Sequence, residues 1–336
     1  MTYTSDQILG MVDDALCRLP YDRRPATLYA PVKYVLSLGG KRMRPVLMLM
    51  SHNLFSESPV DIVVPAIGIE TYHNYTLLHD DLMDNADVRR GHPTVHKKWD
   101  ANTAILSGDS MLVLAYQRMQ QVPPRHLQQV MALFTETALE IGEGQQYDMD
   151  FETRLDVTED EYIEMIRLKT SVLLACAMKT GAVLADAPDA DACLLYSVGE
   201  KLGLAFQLQD DLLDVYGDPA VFGKAIGGDI VSNKKTYMLI NALNRASVRQ
   251  HEELMRWIAP AACAGSAPEP LSPSARQAKI AAVTGLYDEI GVRALCEDKI
   301  NSYFTMADGL LSQVGVSEGR KEQLRNYMHL LMNRRR

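Results

Sequence analysis

Two short stretches of this chain concentrate the residues best suited to chemistry: His79-Asp80-Asp81-Leu82-Met83-Asp84 and, 130 positions later, Gln209-Asp210-Asp211-Leu212-Leu213-Asp214. At ~100° per residue, positions i and i+4 of a helix lie one above the other, so Asp80 and Asp84 share a face, with Asp81 beside them. The same phase aligns Asp210 with Asp214 and sets Asp211 next to them. Gln207 lies three residues before Asp210 and extends the second stripe, while His73, seven before Asp80, is only ~20° off the first. Carboxylates spaced in this way repel one another, by ~0.2 to 0.5 kcal/mol per exposed pair. A single such cluster reads as a solvated helix face. Two copies in otherwise apolar helices call for a hard cation that relieves the repulsion. An oxygen-only donor set suits Mg²⁺, which binds through one or two carboxylates plus substrate phosphates.

Phosphates need basic partners, and these are placed beside the acidic stripes. Gly39-Gly40-Lys41-Arg42-Met43-Arg44-Pro45 sets three cations at the entry to a helix, and Arg89-Arg90-Gly91 follows the first cluster. Lys169-Thr170 sits in an apolar run, and Lys224 and Lys234-Lys235 follow the second cluster. Each has an ordinary explanation: a surface charge for Arg42 and Lys235, a snorkelling stem for Lys169, a solvated loop for Lys224. Together they read as a site for more than one diphosphate, with chemistry at a phosphate-bearing carbon.

The elements that must position these residues are helices. Strong β-formers are sparse, and Leu, Ala, Met and Glu recur at three- and four-residue intervals, which gives an all-α chain. Thr158 with Glu161 forms a capping box opening a helix to about Ala185, and Pro188 precedes the next one. Pro45 fits the first turn of a helix through Met48 and Phe55. Residues 259–275, rich in Pro, Ala and Ser, read as a mobile surface connection, and no shift in composition marks a boundary, so one domain over 1–336 is expected. The chain carries 34 Lys and Arg against 43 Asp and Glu, a net charge of −9, with no block of like charge to bind a nucleic-acid backbone. No run approaches the ~20 apolar residues of a membrane span, and the first residues lack a signal-peptide pattern, so a soluble, cytoplasmic protein is expected. Cys17, Cys176, Cys193, Cys263 and Cys296 are scattered and unpaired in sequence, which reads as packing rather than as disulfides or a zinc site.

With these residues assembled, the chain resembles the trans-isoprenyl diphosphate synthases, the farnesyl and geranylgeranyl diphosphate synthase family. The resemblance runs in order through GGKRMRP (39–45), HDDLMDNADVRRG (79–91), Gly144-Gln145, Lys169-Thr170, FQLQDDLLD (206–214) and GDPAVFGKAIGGDIVSNKKTY (217–237). It implies a single-domain antiparallel helical bundle of the isoprenoid synthase type around a central cavity. It further implies that Asp80 and Asp84 hold two Mg²⁺ ions and Asp210 a third, with Asp214, Asp81 and Asp211 as further or supporting ligands; Mn²⁺ is an alternative ion. Lys41, Arg44, His73 and Arg90 would bind isopentenyl diphosphate. Arg89, Lys169, Thr170, Gln207, Lys224 and Lys234 would hold the allylic diphosphate and steady the cation left when it ionises. The family's homodimer is carried over as an expectation.

In that family, bulky residues upstream of the first cluster form the floor under the growing tail. Tyr75 stands five residues before Asp80, with the small Thr76 at four and Tyr72 at eight, which implies a C15 or C20 product. Two farnesyl-synthase features, paired aromatics at these positions and a two-residue insertion in the first cluster, are both missing. Arg334 to Arg336 would either fold over bound diphosphate or remain a basic tail. Other readings are a class I terpene cyclase, which would show a wider-spaced second motif with Ser or Thr and Glu, and a non-catalytic regulatory subunit, which would have lost one acidic motif.

Overall fold

The helical periodicity is realised almost throughout. A computed structural model describes residues 2–217, 226–258 and 271–332. In order these form α1 (Ser5–Cys17), α2 (Ala26–Ser37), α3 (Met43–Asn53), a 3-10 turn (Pro59–Ile62), α4 (Val63–Met83), strands β1 (Val88–Arg89) and β2 (His92–Pro93), α5 (Val95–Lys98), α6 (Ala101–Met119), α7 (Pro124–Glu152), α8 (Glu159–Ile166), a π turn (Arg167–Ser171), α9 (Val172–Leu184), α10 (Asp189–Tyr216), α11 (Gly228–Ser232), α12 (Tyr237–Arg245), α13 (Val248–Ile258), α14 (Pro273–Ile290), α15 (Val292–Gln313) and α16 (Glu318–Met332). No described helix is long and apolar enough to cross a membrane.

The chain divides into two compact units. The first takes in residues 1–138, 173–199 and 307–330. In it α4 packs chiefly along α6, with α2 and α3 against them. Val32, Leu36, Leu78, Ala104 and Met111 form one of its buried clusters. The second takes in residues 139–172, 200–306 and 331–336. Its core gathers Tyr162, Leu208, Tyr237, Leu239, Val283 and Cys296, with α14 packed on α11, α12 and α13.

Several local expectations are met and some are revised. The Thr158 hydroxyl and the Glu161 side chain cap α8 reciprocally. The helical run they open continues to Leu184, but through a π turn that the apolar spacing does not announce. Pro45 is the third residue of α3, where its missing N–H is one of the helix's orphan donors anyway; that helix ends at Asn53, short of Phe55. Of the expected 259–275 connection, 259–270 lie outside the described residues, and Pro273 to Ala275 instead open α14, capped by the Ser272 hydroxyl. Cys176 and Cys296 are buried as packing residues, whereas Cys17 and Cys193 are exposed, because each sits on the outward face of its helix. Cys263 and Arg334 to Arg336 lie outside the described residues.

Candidate functional site

In the first unit, α4 delivers the first acidic cluster at its C-terminal end. Asp80 is partly exposed, Asp81 is buried, and Asp84 caps the helix through its N–H to the Asp80 carbonyl (2.9 Å). Carboxylates here oppose the helix dipole, so the position is unfavourable without a cation. Arg89 supplies one. Its Nε donates to both Asp81 oxygens (2.7 and 2.8 Å), and its Nη2 lies 2.6 Å from Asp81 Oδ1 and 3.5 Å from Asp80 Oδ2. Burial nevertheless raises the Asp81 pKa, with Arg89 working against that rise. Arg89 reaches these oxygens because it ends β1, paired with β2 through a two-residue turn in which Arg90 (φ 52°) and Gly91 (φ 77°) are both left-handed, the backbone of a primed hairpin turn.

That turn points Arg90 at Gly39-Gly40, where it donates to the Gly39 carbonyl. A Cβ on Gly40 would stand 2.7 Å from the Arg90 Cζ and displace the guanidinium, and Gly40 has a φ of 127°, a conformation that residues with a side chain rarely adopt. Arg44, near the start of α3, donates from Nη1 to His73 Nε2 at 3.0 Å. A guanidinium can only donate, so His73 Nε2 accepts and its ring proton belongs on Nδ1. Burial, and then the charges of Arg44, Arg90, Arg89 and Arg42, hold the His73 pKa well below the usual imidazole value. His73 is therefore a neutral acceptor that orients Arg44. Lys41 is exposed at the entry to α3. Arg42 departs from the surface-charge reading: it is buried, with its Nη1 2.7 Å from Glu70 Oε1 and its Nη2 donating to the Leu36 carbonyl (2.7 Å). Asn74, Leu77, Asp81, Arg89 and Arg90 line one cleft of this unit together with Tyr34.

The residues upstream of Asp80 form an aromatic cluster. Tyr72 is buried, with ring centroids 5.4 Å from Tyr75 and 5.2 Å from Phe134, and Tyr116 lies 4.9 Å from Phe134. Tyr75 also stands edge-on to His79 at 4.9 Å. The Thr76 hydroxyl turns back to the His73 carbonyl (2.8 Å).

In the second unit, α10 carries Gln207, Asp210, Asp211 and Asp214 to its own C-terminal turns. Gln207 donates from Nε2 to Asp211 Oδ1 (3.2 Å) and accepts at Oε1 from the Thr170 hydroxyl (3.0 Å). Asp211 is buried and also accepts from the Tyr162 hydroxyl. Burial, reinforced by Asp229, pushes its pKa up to about 8, with Tyr162 and Gln207 opposing. Asp214 Oδ2 accepts from the Asp229 N–H (3.0 Å) at the start of α11. Lys169 belongs to the π turn, where its Nζ is 2.6 Å from Asp148 Oδ2; Lys234 lies 3.5 Å from the same oxygen. Burial works against the charge on Asp148, but Lys234 and Lys169 together hold its carboxyl below the usual aspartate range. The approach of α7 to the π turn explains Gly144: a Cβ there would fall 2.3 Å from the Lys169 backbone nitrogen. Lys224 lies outside the described residues.

Sequence reasoning missed Asp148, Glu70 and Tyr162, and misread Arg42. Asp148 had one available signal, standing four residues after Gly144 on the same helix face. Glu70, seven before Leu77 on an apolar stretch, could have been flagged as a buried acid in need of a base. No group of three His, Cys, Asp or Glu among the described residues is arranged to hold a metal ion alone. Carboxylates supplying only part of a shell fit a hard cation whose remaining ligands are phosphate oxygens and water.

Residues 25–267 match the model of a family described as polyprenyl synthetase. A geranylgeranyl diphosphate synthase of Methanosarcina mazei is 41% identical over 236 residues, covering 70% of this chain and 73% of that protein. A solved geranylgeranyl pyrophosphate synthase superposes with a TM-score of 0.92 at 41% identity, covering 99% of this chain and 100% of that one. A geranylgeranyl pyrophosphate synthase of Corynebacterium glutamicum, solved with isoprenyl diphosphate and magnesium, superposes with a TM-score of 0.81 at 26% identity, covering 98% and 97%.

Proposed function

The chain belongs to the polyprenyl synthetase family and is a prenyltransferase, and from that premise we propose the residues that carry its reaction and the length of its product. The reaction joins isopentenyl diphosphate head to tail to an allylic diphosphate (dimethylallyl, geranyl or farnesyl) and releases diphosphate. The product is a short all-trans prenyl diphosphate of C15 to C20. The observation that carries this reading is that each unit, taken by itself, ends a helix in an Asp-Asp-x-x-Asp cluster with guanidinium or ammonium groups gathered in the same unit. A terpene cyclase would need a different second motif, and a regulatory subunit would have lost one.

Asp80, Asp84, Asp210 and Asp214, supported by Asp81 and Asp211, would hold three Mg²⁺ ions, with Mn²⁺ as a possible substitute. When bound, Mg²⁺ supplies Lewis-acid neutralisation of the leaving diphosphate. Arg89, Lys169, Lys224 and Lys234 grip the allylic diphosphate, so the bonding pair of its C–O bond leaves with the diphosphate and an allylic cation remains. The Gln207 amide, held between Thr170 and Asp211, offers a fixed dipole to that cation. Lys41, Arg44 and Arg90 bind the second diphosphate, with His73 acting through Arg44. The isopentenyl double bond then attacks the cation to form the new C–C bond, and the adjacent proton passes to the released diphosphate.

Product length rests on Tyr75, with Thr76 beside it and Tyr72 behind it. The deciding experiment incubates the protein with Mg²⁺, isopentenyl diphosphate and each allylic primer, and analyses chain length for wild type and Tyr75→Ala side by side. Elongation to C15 or C20 is expected in wild type and a longer product in the variant. No elongation with any primer would remove the synthase reading, and an identical product from Tyr75→Ala would return that ring to the core.

A further inference from the structure

The three cations of the Gly39 to Pro45 segment do not behave alike. Lys41 is exposed and Arg44 meets His73, but Arg42 turns inward from a left-handed backbone (φ 46°) at the head of α3. A non-glycine residue rarely adopts that conformation unless the surroundings enforce it. Here the enforcement is Glu70 on α4, 1% exposed, whose Oε1 accepts from Arg42 Nη1 (2.7 Å) and from Asn74 Nδ2 (2.8 Å). Arg42 closes the turn with a second bond to the Leu36 carbonyl, and its Nε faces Asp13 at 3.5 Å. The other Glu70 oxygen, Oε2, is buried with no partner among the described residues. Arg90, stacked on Gly40 of the same turn, loses basicity through burial, and the charge that chiefly opposes that loss is Glu70. One buried carboxylate thus fixes the turn from below through Arg42 and biases Arg90 above it.

We propose that Glu70 is a positioning residue for the isopentenyl diphosphate cradle, setting Lys41, Arg44 and Arg90 through its buried pair with Arg42. The inference rests on the role given above to those three cations. Glu70 touches no substrate; it determines whether the segment from Gly39 to Arg44 keeps the backbone path that aims the cations. Its loss therefore weakens isopentenyl diphosphate binding and spares the allylic diphosphate, whose proposed anchors, apart from Arg89, lie elsewhere in the sequence.

Two variants test this. Glu70→Gln leaves Arg42 with only the half-exposed Asp13, 3.5 Å from its Nε, as a counter-charge and tests the buried charge directly. The double variant Arg42→Met with Glu70→Leu removes both charges at similar volume, an exchange that buried ion pairs tolerate in stability, and keeps a non-glycine residue at position 42. Circular dichroism establishes folding. In each folded variant the KM for isopentenyl diphosphate should rise by about 10- to 100-fold, the scale of a misplacement near 1 Å. The KM for the allylic substrate and the Mg²⁺-dependent hydrolysis of that substrate alone should stay within about twofold of wild type. Calorimetric titration with isopentenyl diphosphate should show the same loss in affinity. A folded double variant with an unchanged isopentenyl diphosphate KM overturns the proposal, as does an equal rise in both KM values, which would mark a general structural role. A wild-type protein that neither elongates nor binds isopentenyl diphosphate would overturn the underlying reading instead.

Discussion

Asp148 illustrates what a single side chain adds to the site. Its carboxylate is 12% exposed and faces two ammonium groups that come from positions 21 and 86 residues away in the chain. Asp148→Asn keeps the shape and removes the charge, so Lys169 and Lys234 should spread apart and the KM for the allylic diphosphate should rise about tenfold, as for a lost charge-assisted contact of ~1.4 kcal/mol. The same substitution has a signature in pH. Because the two lysines hold the folded-state pKa below the unfolded value of about 3.9, the charge stabilises the fold above that value, and the contribution fades as pH falls through the folded pKa. Denaturation curves from pH 7 to pH 3 should therefore show wild type more stable than Asp148→Asn at neutrality, with the gap closing in acid. A gap independent of pH would mean that packing, not charge, is what the residue supplies.

At the scale of elements, the site depends on where helices end and how closely they approach. Both acidic clusters were legible in the sequence because a period of 3.6 residues places i and i+4 together whatever the surroundings. The close approach of α7 to the π turn was not, since only a tertiary contact makes Gly144 indispensable. Gly144→Ala should favour an isolated helix by ~0.8 to 1 kcal/mol on propensity alone. Here the added Cβ would meet the Lys169 backbone, and backbone yields less readily than a side chain. The expected result is a net loss of ~1 to 3 kcal/mol in denaturant unfolding, as for other overpacked cores, together with weaker allylic diphosphate binding. A stabilised variant would show that the helices can separate without cost. The capping box of α8 was equally legible, being local, whereas the inward turn of Arg42 escaped notice because its partner lies 28 residues away.

For the molecule as a whole, residue periodicity gave the helical class and the order of motifs the reaction, while the partition of the chain between two compact units could not be read from composition that does not change along it. The net charge of −9 belongs to the same scale. It argues against a nucleic-acid backbone as a partner yet says nothing against polyanionic substrates, because six of the 43 acidic residues fall in two clusters where a bound divalent ion would reverse their effect. Carrying over the family's assembly, we propose a homodimer; sedimentation equilibrium should give twice the 37.4 kDa chain mass at micromolar concentration, and a monomer at that concentration would refute it.

The π turn at Arg167–Ser171 holds one more residue per turn than the α-helices on either side. Each residue of an α-helix advances ~100°, so the extra one rotates everything beyond it relative to a regular helix by about that angle. Chain length is therefore not neutral in this stretch. Deleting one residue between Arg167 and Ser171 would restore an unbroken α ladder and give a locally more regular helix. It would also swing Lys169 or Thr170 away from Asp148 or Gln207. A one-residue deletion in this stretch would gain helix regularity at the expense of the alignment of two side chains proposed to hold the allylic substrate.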